Sequence, residues 1–186
     1  VADYDEVAKR AEKYARILTD GKIVRITNAD GTDISMSLEG RVGMADTGIY
    51  RDPGQSGNLP AGEAFIAPVE GTANGVFVAD GAMAGPEFAG TKIRITVANG
   101  YATSIEGGEA ARTIEKMISP LGMPARNIAE LGIGVNDRAK ITGQVLEDEK
   151  VMGTIHIALG DNSNFGGNVR VASHLDGIVV APTVEV

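Results

Sequence analysis

Cysteine is absent from this chain of 186 residues. Neither a disulfide framework nor a thiolate metal site is therefore available, and any metal ion must be bound by oxygen and imidazole ligands. The sequence also lacks a run near the roughly 18 apolar residues that a membrane-spanning helix needs. Lysine and arginine do not cluster with aromatic residues, and the formal net charge of −8 would repel phosphate backbones. We therefore expect neither a membrane nor nucleic acid as a partner.

A secretory signal pattern is also missing, which favours a cytoplasmic location. The chain begins at Val1 rather than at methionine. From this start we expect a longer protein whose N-terminal domain precedes the segment. The apolar strand over residues 178–182 is a candidate surface for contact with such a domain.

Apolar residues make up 43% of the sequence, enough for one hydrophobic core, so residues 1–186 are predicted to form a single domain. Amphipathic spacing predicts helices over residues 3–19 and 109–118, with a short helix near 143–149. Alternating or β-branched runs separated by turn residues predict strands over residues 22–27, 33–38, 63–68, 75–79, 91–98, 101–105, 127–135 and 153–159, with a final strand pair over 169–180. No regular βαβ alternation is present. These elements predict the α+β class, with a strand-rich mixed sheet or partly closed barrel and two main helices.

The two histidines of the chain are the first candidates for chemistry. His174 and Asp176 are two residues apart on a predicted strand, so both side chains leave the same face and can converge on one ion. His156 interrupts an apolar strand and needs a partner if it is buried. The alternative for each is a hydrogen-bonded histidine of the core.

Glu63 and Glu130 lie within runs that otherwise indicate buried strands. A buried carboxylate without a partner costs several kcal/mol, which a divalent cation would offset. A salt bridge to an arginine is the alternative. Lys92, Arg94 and Lys150 are expected to be solvated surface charges.

Four segments resemble, in order, motifs of the dinuclear metallopeptidases typified by aminopeptidase T. They are Asn58-Leu-Pro-Ala-Gly-Glu63 with Ala-Phe-Ile-Ala-Pro68, Ala129-Glu130 heading an apolar run, Gly153-Thr-Ile-His156-Ile-Ala-Leu-Gly160, and Ser173-His174-Leu-Asp176. The resemblance covers residues 58–186. The tyrosine that follows the family's His-Ile-Ala-Leu-Gly segment has no counterpart here, because neither Ser163 nor Phe165 supplies a phenol.

The resemblance implies the fold of the C-terminal domain of aminopeptidase T and a peptide substrate. It also implies two divalent ions, zinc, cobalt or manganese, bound by Glu63, Glu130, His156, His174 and Asp176. Glu63 or Glu130 would bridge the ions as a catalytic carboxylate, and a bridging water would attack the peptide carbonyl. The resembled enzymes are dimers, which makes a homodimer a further expectation.

Two rival hypotheses remain. The dihydroxypyridine ring-cleaving dioxygenases resemble the same fold and use one iron(II) bound partly by a similar His-x-Asp pair. Glu63 and Glu130 argue against them, because a 2-His-1-carboxylate centre needs open positions for oxygen and substrate. The other rival is a binding domain without catalysis, in which the metal is a structural clip. The metal content separates all three: two ions, one iron, or one closed ion.

Overall fold

The computed structural model describes residues 2–83 and 90–186. Three α-helices span Tyr4–Asp20 (α1), Gly108–Ile118 (α2) and Val145–Asp148 (α3). The strands are Ile23–Thr27 (β1), Asp33–Ser37 (β2), Met44–Asp46 (β3), Glu63–Ile66 (β4), Asn74–Ala79 (β5), Ile93–Ala98 (β6), Tyr101–Glu106 (β7), Ile128–Gly134 (β8), Thr154–Gly160 (β9), His174–Val180 (β10) and Thr183–Glu185 (β11).

Helix α1 forms where the apolar spacing predicts it. Asp3 caps its first turn by accepting hydrogen bonds from the backbone N–H groups of Asp5 and Glu6. Val7, Ala8, Ala11, Ala15 and Leu18 form its buried face. The helix packs against β3 and β4, and it thereby covers one end of the sheet that carries the candidate site.

The described residues form two antiparallel sheets. One has the strand order β11-β1-β2-β5-β6-β7 and the other the order β10-β9-β8-β4-β3. Their inner faces enclose a core that includes Val24, Ile34, Phe77, Ile95, Leu131, Ile157 and Val179. Neither sheet closes into a barrel in the described ranges. The predicted α+β class with two main helices is confirmed.

Several local predictions were wrong. Strand β3 was missed, and residues 169–173 form no strand before β10. The last strand, β11, pairs instead with β1 in the other sheet. Ile178 and Val179, expected at an exposed surface, are fully buried because β10 packs against β5. Across the described part of the chain, no helix combines the length and apolarity required to cross a membrane.

Candidate metal centre

The register of the five-stranded sheet brings all five predicted ligands onto one face. Partners directly across an antiparallel sheet have side chains on the same side. Glu130 pairs with Ala158, which pairs with Asp176, and His156 lies two residues before Ala158 on β9. Glu63 follows on β4, opposite Gly134. The opposite face of these strands is apolar and belongs to the core, with Ala64, Ile66, Leu131, Ile155, Ile157, Leu159 and Val179.

Two glycines on β8 provide the space for this polar face. A Cβ at Gly132 would lie 2.1 Å from His156 Nε2, so the imidazole lies directly on the glycine backbone. A Cβ at Gly134 would lie 2.2 Å from the carbonyl oxygen of Val151. The segment that contains Lys150 therefore crosses the sheet at Gly134.

Glu130 joins the two histidines at one end of the face. Its Oε1 lies 3.2 Å from His156 Nε2, and its Oε2 lies 3.3 Å from His174 Nε2. Asp176 Oδ1 is also 3.3 Å from His174 Nε2. We call Glu130, His156, His174 and Asp176 the histidine end. His174 Nδ1 donates to the carbonyl oxygen of Asp161 at 2.8 Å, which leaves Nε2 as the free ligand atom.

The carboxylates hold both imidazoles in the charged form when no metal is bound. Burial lowers the pKa of His156, but the hydrogen bond to Glu130 and nearby carboxylates outweigh it and raise the pKa to about 10. The pKa of His174 is raised to about 11, against burial, by Asp176 and Glu130. Burial raises the pKa of Glu130, but its bonds to both histidines lower it to about 2. The histidine end is thus a set of mutually stabilised charges.

At the other end of this polar sheet face, three carboxylates surround Lys150. Its side chain is only 2% exposed, and its ammonium donates to Glu63 at 2.5 Å and lies 2.7 Å from Glu149 Oε1. Asp46 Oδ2 is 3.7 Å away. We call Asp46, Glu63, Glu149 and Lys150 the lysine end. Burial raises the pKa of Glu63 to about 7, although the charges of His156 and Lys150 oppose the rise.

The prediction of Lys150 as a solvated surface charge was therefore wrong. Its partners Asp46 and Glu149 were missed as well, because each follows or precedes a turn in a segment whose charges suggest a surface. Glu63 does form a salt bridge, which was the alternative to metal binding, but its partner is Lys150 and not an arginine. Helix α3 and the following turn bring Lys150 over the sheet, a placement that strand periodicity does not reveal.

Two phenylalanines border the histidine end. The Phe165 ring makes edge-to-face contacts with Phe65, at 5.8 Å between centroids, and with His174, at 5.9 Å. Phe165 thus contacts the site without supplying a phenol. Tyr50 brings a phenol to the lysine end, where it donates to Asp46 Oδ1 at 3.0 Å.

An open cleft of about 700 Å³ lies beside His174. Asp161, Ser163, Phe165, Arg170, Ser173 and His174 are among its lining residues. The loop over residues 161–173 is anchored by Glu70, in the turn between β4 and β5, which accepts hydrogen bonds from the Asn162 side chain at 2.9 Å and the Asn168 backbone at 2.8 Å. Arg41 pairs with the same carboxylate. The histidine end is therefore open to solvent on the side of this cleft, and hydrogen bonds to Glu70 hold the loop that lines the cleft.

The donor set fits a divalent metal ion. Glu130, His174 and Asp176 each offer a ligand atom within 4.8 Å of the others, as do Glu63, Glu130 and His156. His156 Nδ1 and Glu63 Oε2 are buried and have no hydrogen-bond partner in the described ranges. Nitrogen and oxygen donors without thiolate suit iron(II), zinc, cobalt and manganese alike.

Comparison with known proteins separates the alternatives. A family model described as NicX, 2,5-dihydroxypyridine 5,6-dioxygenase, matches residues 2–186. The solved 2,5-dihydroxypyridine dioxygenase from Pseudomonas putida KT2440 superposes with a TM-score of 0.84 at 21% identity, over 98% of this chain and 56% of that one.

The aminopeptidase AmpT from Thermus thermophilus superposes with a TM-score of 0.72 at 18% identity, over 97% of this chain and 50% of that one. This chain therefore spans about half the length of either structure, and the two likenesses show a shared fold. No curated protein sequence matches the chain.

Proposed function

Because the chain belongs to the 2,5-dihydroxypyridine 5,6-dioxygenase family, we propose that it acts as an iron(II)-dependent ring-cleaving dioxygenase on a hydroxylated pyridine. The observation that carries the proposal is the family match over residues 2–186, together with a two-histidine, two-carboxylate set in which His174 is partly exposed. The substrate class comes from the name of the family.

The family match corrects the prediction of a peptide-cleaving aminopeptidase with two zinc, cobalt or manganese ions. The motif resemblance to aminopeptidase T corresponds to a shared fold at 18% identity. Glu63 and Glu130 were both expected to be metal ligands, which spoke against a dioxygenase. Since Lys150 binds Glu63 Oε1, we assign only Glu130 and Asp176 as carboxylate ligands.

The ligands that we assign to the iron are His156, His174, Glu130 and Asp176. Two neutral imidazoles and two carboxylates carry a charge of about −2, which one divalent ion cancels. With iron bound by these residues, dioxygen and the substrate would need free positions on the ion, which the partly exposed side at His174 would provide. This set differs from the usual 2-His-1-carboxylate centre by one carboxylate.

A bound iron(II) would supply the redox chemistry that lets dioxygen react with an aromatic ring. The protein residues would hold the substrate and shape its surroundings. The edges of Phe65 and Phe165 form an apolar wall against which a flat heteroaromatic ring can pack. Arg170, in the adjacent cleft, can donate to an oxygen of a hydroxypyridine.

His174 would be oriented by the protein rather than by the ion. Its bond from Nδ1 to the Asp161 carbonyl fixes the ring, and the loop that carries Asp161 also carries Phe165. The hydrogen bonds from this loop to Glu70 would therefore hold His174 and Phe165 in fixed positions relative to each other.

Oxygen uptake tests the proposal. The purified chain is loaded with iron(II) without air, and oxygen consumption is then measured with 2,5-dihydroxypyridine as substrate. Consumption of about one O₂ per substrate, accompanied by loss of the ring absorbance, is the expected result for a dioxygenase. A His174→Ala variant should consume none. Iron-loaded chain that leaves the ring intact would contradict the proposal, and hydrolysis of leucine p-nitroanilide would point back to a peptidase.

A further inference from the structure

Lys150 is a buried cation among three carboxylates on the same sheet face as the proposed iron site. Its ammonium contacts Glu63 and Glu149 at 2.5 and 2.7 Å and lies 3.7 Å from Asp46. A buried lysine is costly unless it is paired, so these carboxylates account for its position. Equally, the ammonium is the cation that allows three acids to lie together.

The carboxylates have ligand capacity that the ammonium does not use fully. Glu63 is 7% exposed, and its Oε2 has no hydrogen-bond partner within residues 2–83 and 90–186. That atom lies 3.4 Å from His156 Nε2, so it points toward the histidine end. An oxygen-rich pocket of this kind would attract a divalent ion if its own cation were removed.

We propose that the Lys150 ammonium occupies the position of a second metal ion and restricts the domain to a single metal. The inference rests on the proposed iron site at the histidine end. It assigns Lys150 a specificity role: the charge that a dinuclear enzyme would obtain from a second ion is supplied here by the chain. Removing that charge should create a second divalent-cation site at Glu63 and Glu149, the two carboxylates that contact the ammonium.

Metal counting tests the inference without any activity measurement. Wild type, Lys150→Met and Lys150→Arg are titrated with Mn²⁺ by calorimetry, and the bound metal is then counted by plasma mass spectrometry after gel filtration. One ion is expected for wild type and for Lys150→Arg, which keeps the charge. Two ions are expected for Lys150→Met. The double variant Lys150→Met/Glu63→Gln should return to one, because it loses a central ligand together with the ammonium.

The outcomes separate this inference from the proposed function. Wild type with two ions, or Lys150→Met with one, would overturn the role of Lys150 and leave the iron site standing. Wild type without any ion would overturn the iron site itself. If Lys150→Met is unfolded without metal, Mn²⁺ should restore its circular dichroism, since the ion replaces the lost charge. Failure of Mn²⁺ to restore the fold would also overturn the inference.

Discussion

The histidine end and the lysine end lie side by side on one sheet face and are both rich in carboxylates, yet they differ in what neutralises them. At the lysine end the cation is part of the chain, so Glu63 is already paired. At the histidine end the partners are imidazoles, which can lose a proton and become ligands. On the function that we propose, the group that neutralises the acids, more than their number, decides which cluster binds a metal.

Replacing one acid at each end should show the largest difference between the two ends, measured as iron(II) affinity. Glu130→Ala removes a carboxylate that contacts both histidines, and iron(II) affinity should fall by more than about 100-fold. Asp46→Ala removes the carboxylate of the lysine end that lies 3.7 Å from the Lys150 ammonium, and it should leave the affinity within about threefold. Anaerobic calorimetry measures both. Equal losses in the two variants would show that the ends act as one site.

The histidine end should exchange protons for metal, whereas the lysine end should not. Since the pKa values of His156 and His174 are about 10 and 11 without metal, both rings are charged at neutral pH and must release a proton to bind an ion. Two released protons correspond to an affinity that rises up to about 100-fold per pH unit below these values. Calorimetry in buffers of different ionisation enthalpy counts the protons. Metal binding without proton release would contradict the assignment of the histidines as ligands.

The shifted pKa values of His156, His174 and Glu130 also make the stability of the metal-free chain depend on pH. Raised histidine pKa values stabilise the fold fully below the ordinary value of 6.5, and this contribution is lost as the pH rises through about 10. The lowered pKa of Glu130 stabilises the fold above its ordinary value of 4.5 and is lost as the pH falls through about 2. Thermal melting of metal-free protein should therefore show its largest contribution from these groups between about pH 4.5 and 6.5.

The two glycines of β8 offer a smaller and more local test. Gly132→Ala would place a Cβ against the His156 imidazole, so iron affinity should fall about tenfold as the ring is displaced. Gly134→Ala would instead meet the backbone of Val151, and it should lower the free energy of unfolding by about 1–3 kcal/mol. Affinity and melting temperature measured on both variants separate the effects. Equal loss of affinity in both would argue against the specific role of Gly132.

Much of the fold could be predicted because its signals are local. The apolar spacing of α1 and α2 and the alternation in β1, β2, β6 and β7 depend on near neighbours in the chain. Strand β3 has only three residues, too few for a periodic pattern. The pairing of β11 with β1 joins residues at opposite ends of the sequence, and no local pattern specifies it.

Sequence reasoning selected five polar residues of this sheet face, but it missed Asp46 and Glu149 and did not show how the residues are grouped. Polar residues in apolar runs identify Glu63, Glu130 and His156, because buried polar groups need partners. The sequence does not show which partner each one has. Lys150 follows three acidic residues at the end of a short helix, a setting typical of a solvated surface. Its burial depends on how the turn before β9 crosses Gly134, and our proposal of one metal rather than two rests on that contact.

A crystal structure of the iron-loaded chain, with anomalous scattering measured at the iron edge, would locate the metal directly. We expect one iron peak per chain, within bonding distance of the Nε2 atoms of His156 and His174 and of the carboxylates of Glu130 and Asp176, with Lys150 still bound to Glu63. A second peak among Asp46, Glu63 and Glu149, or a single peak at the lysine end, would contradict this expectation.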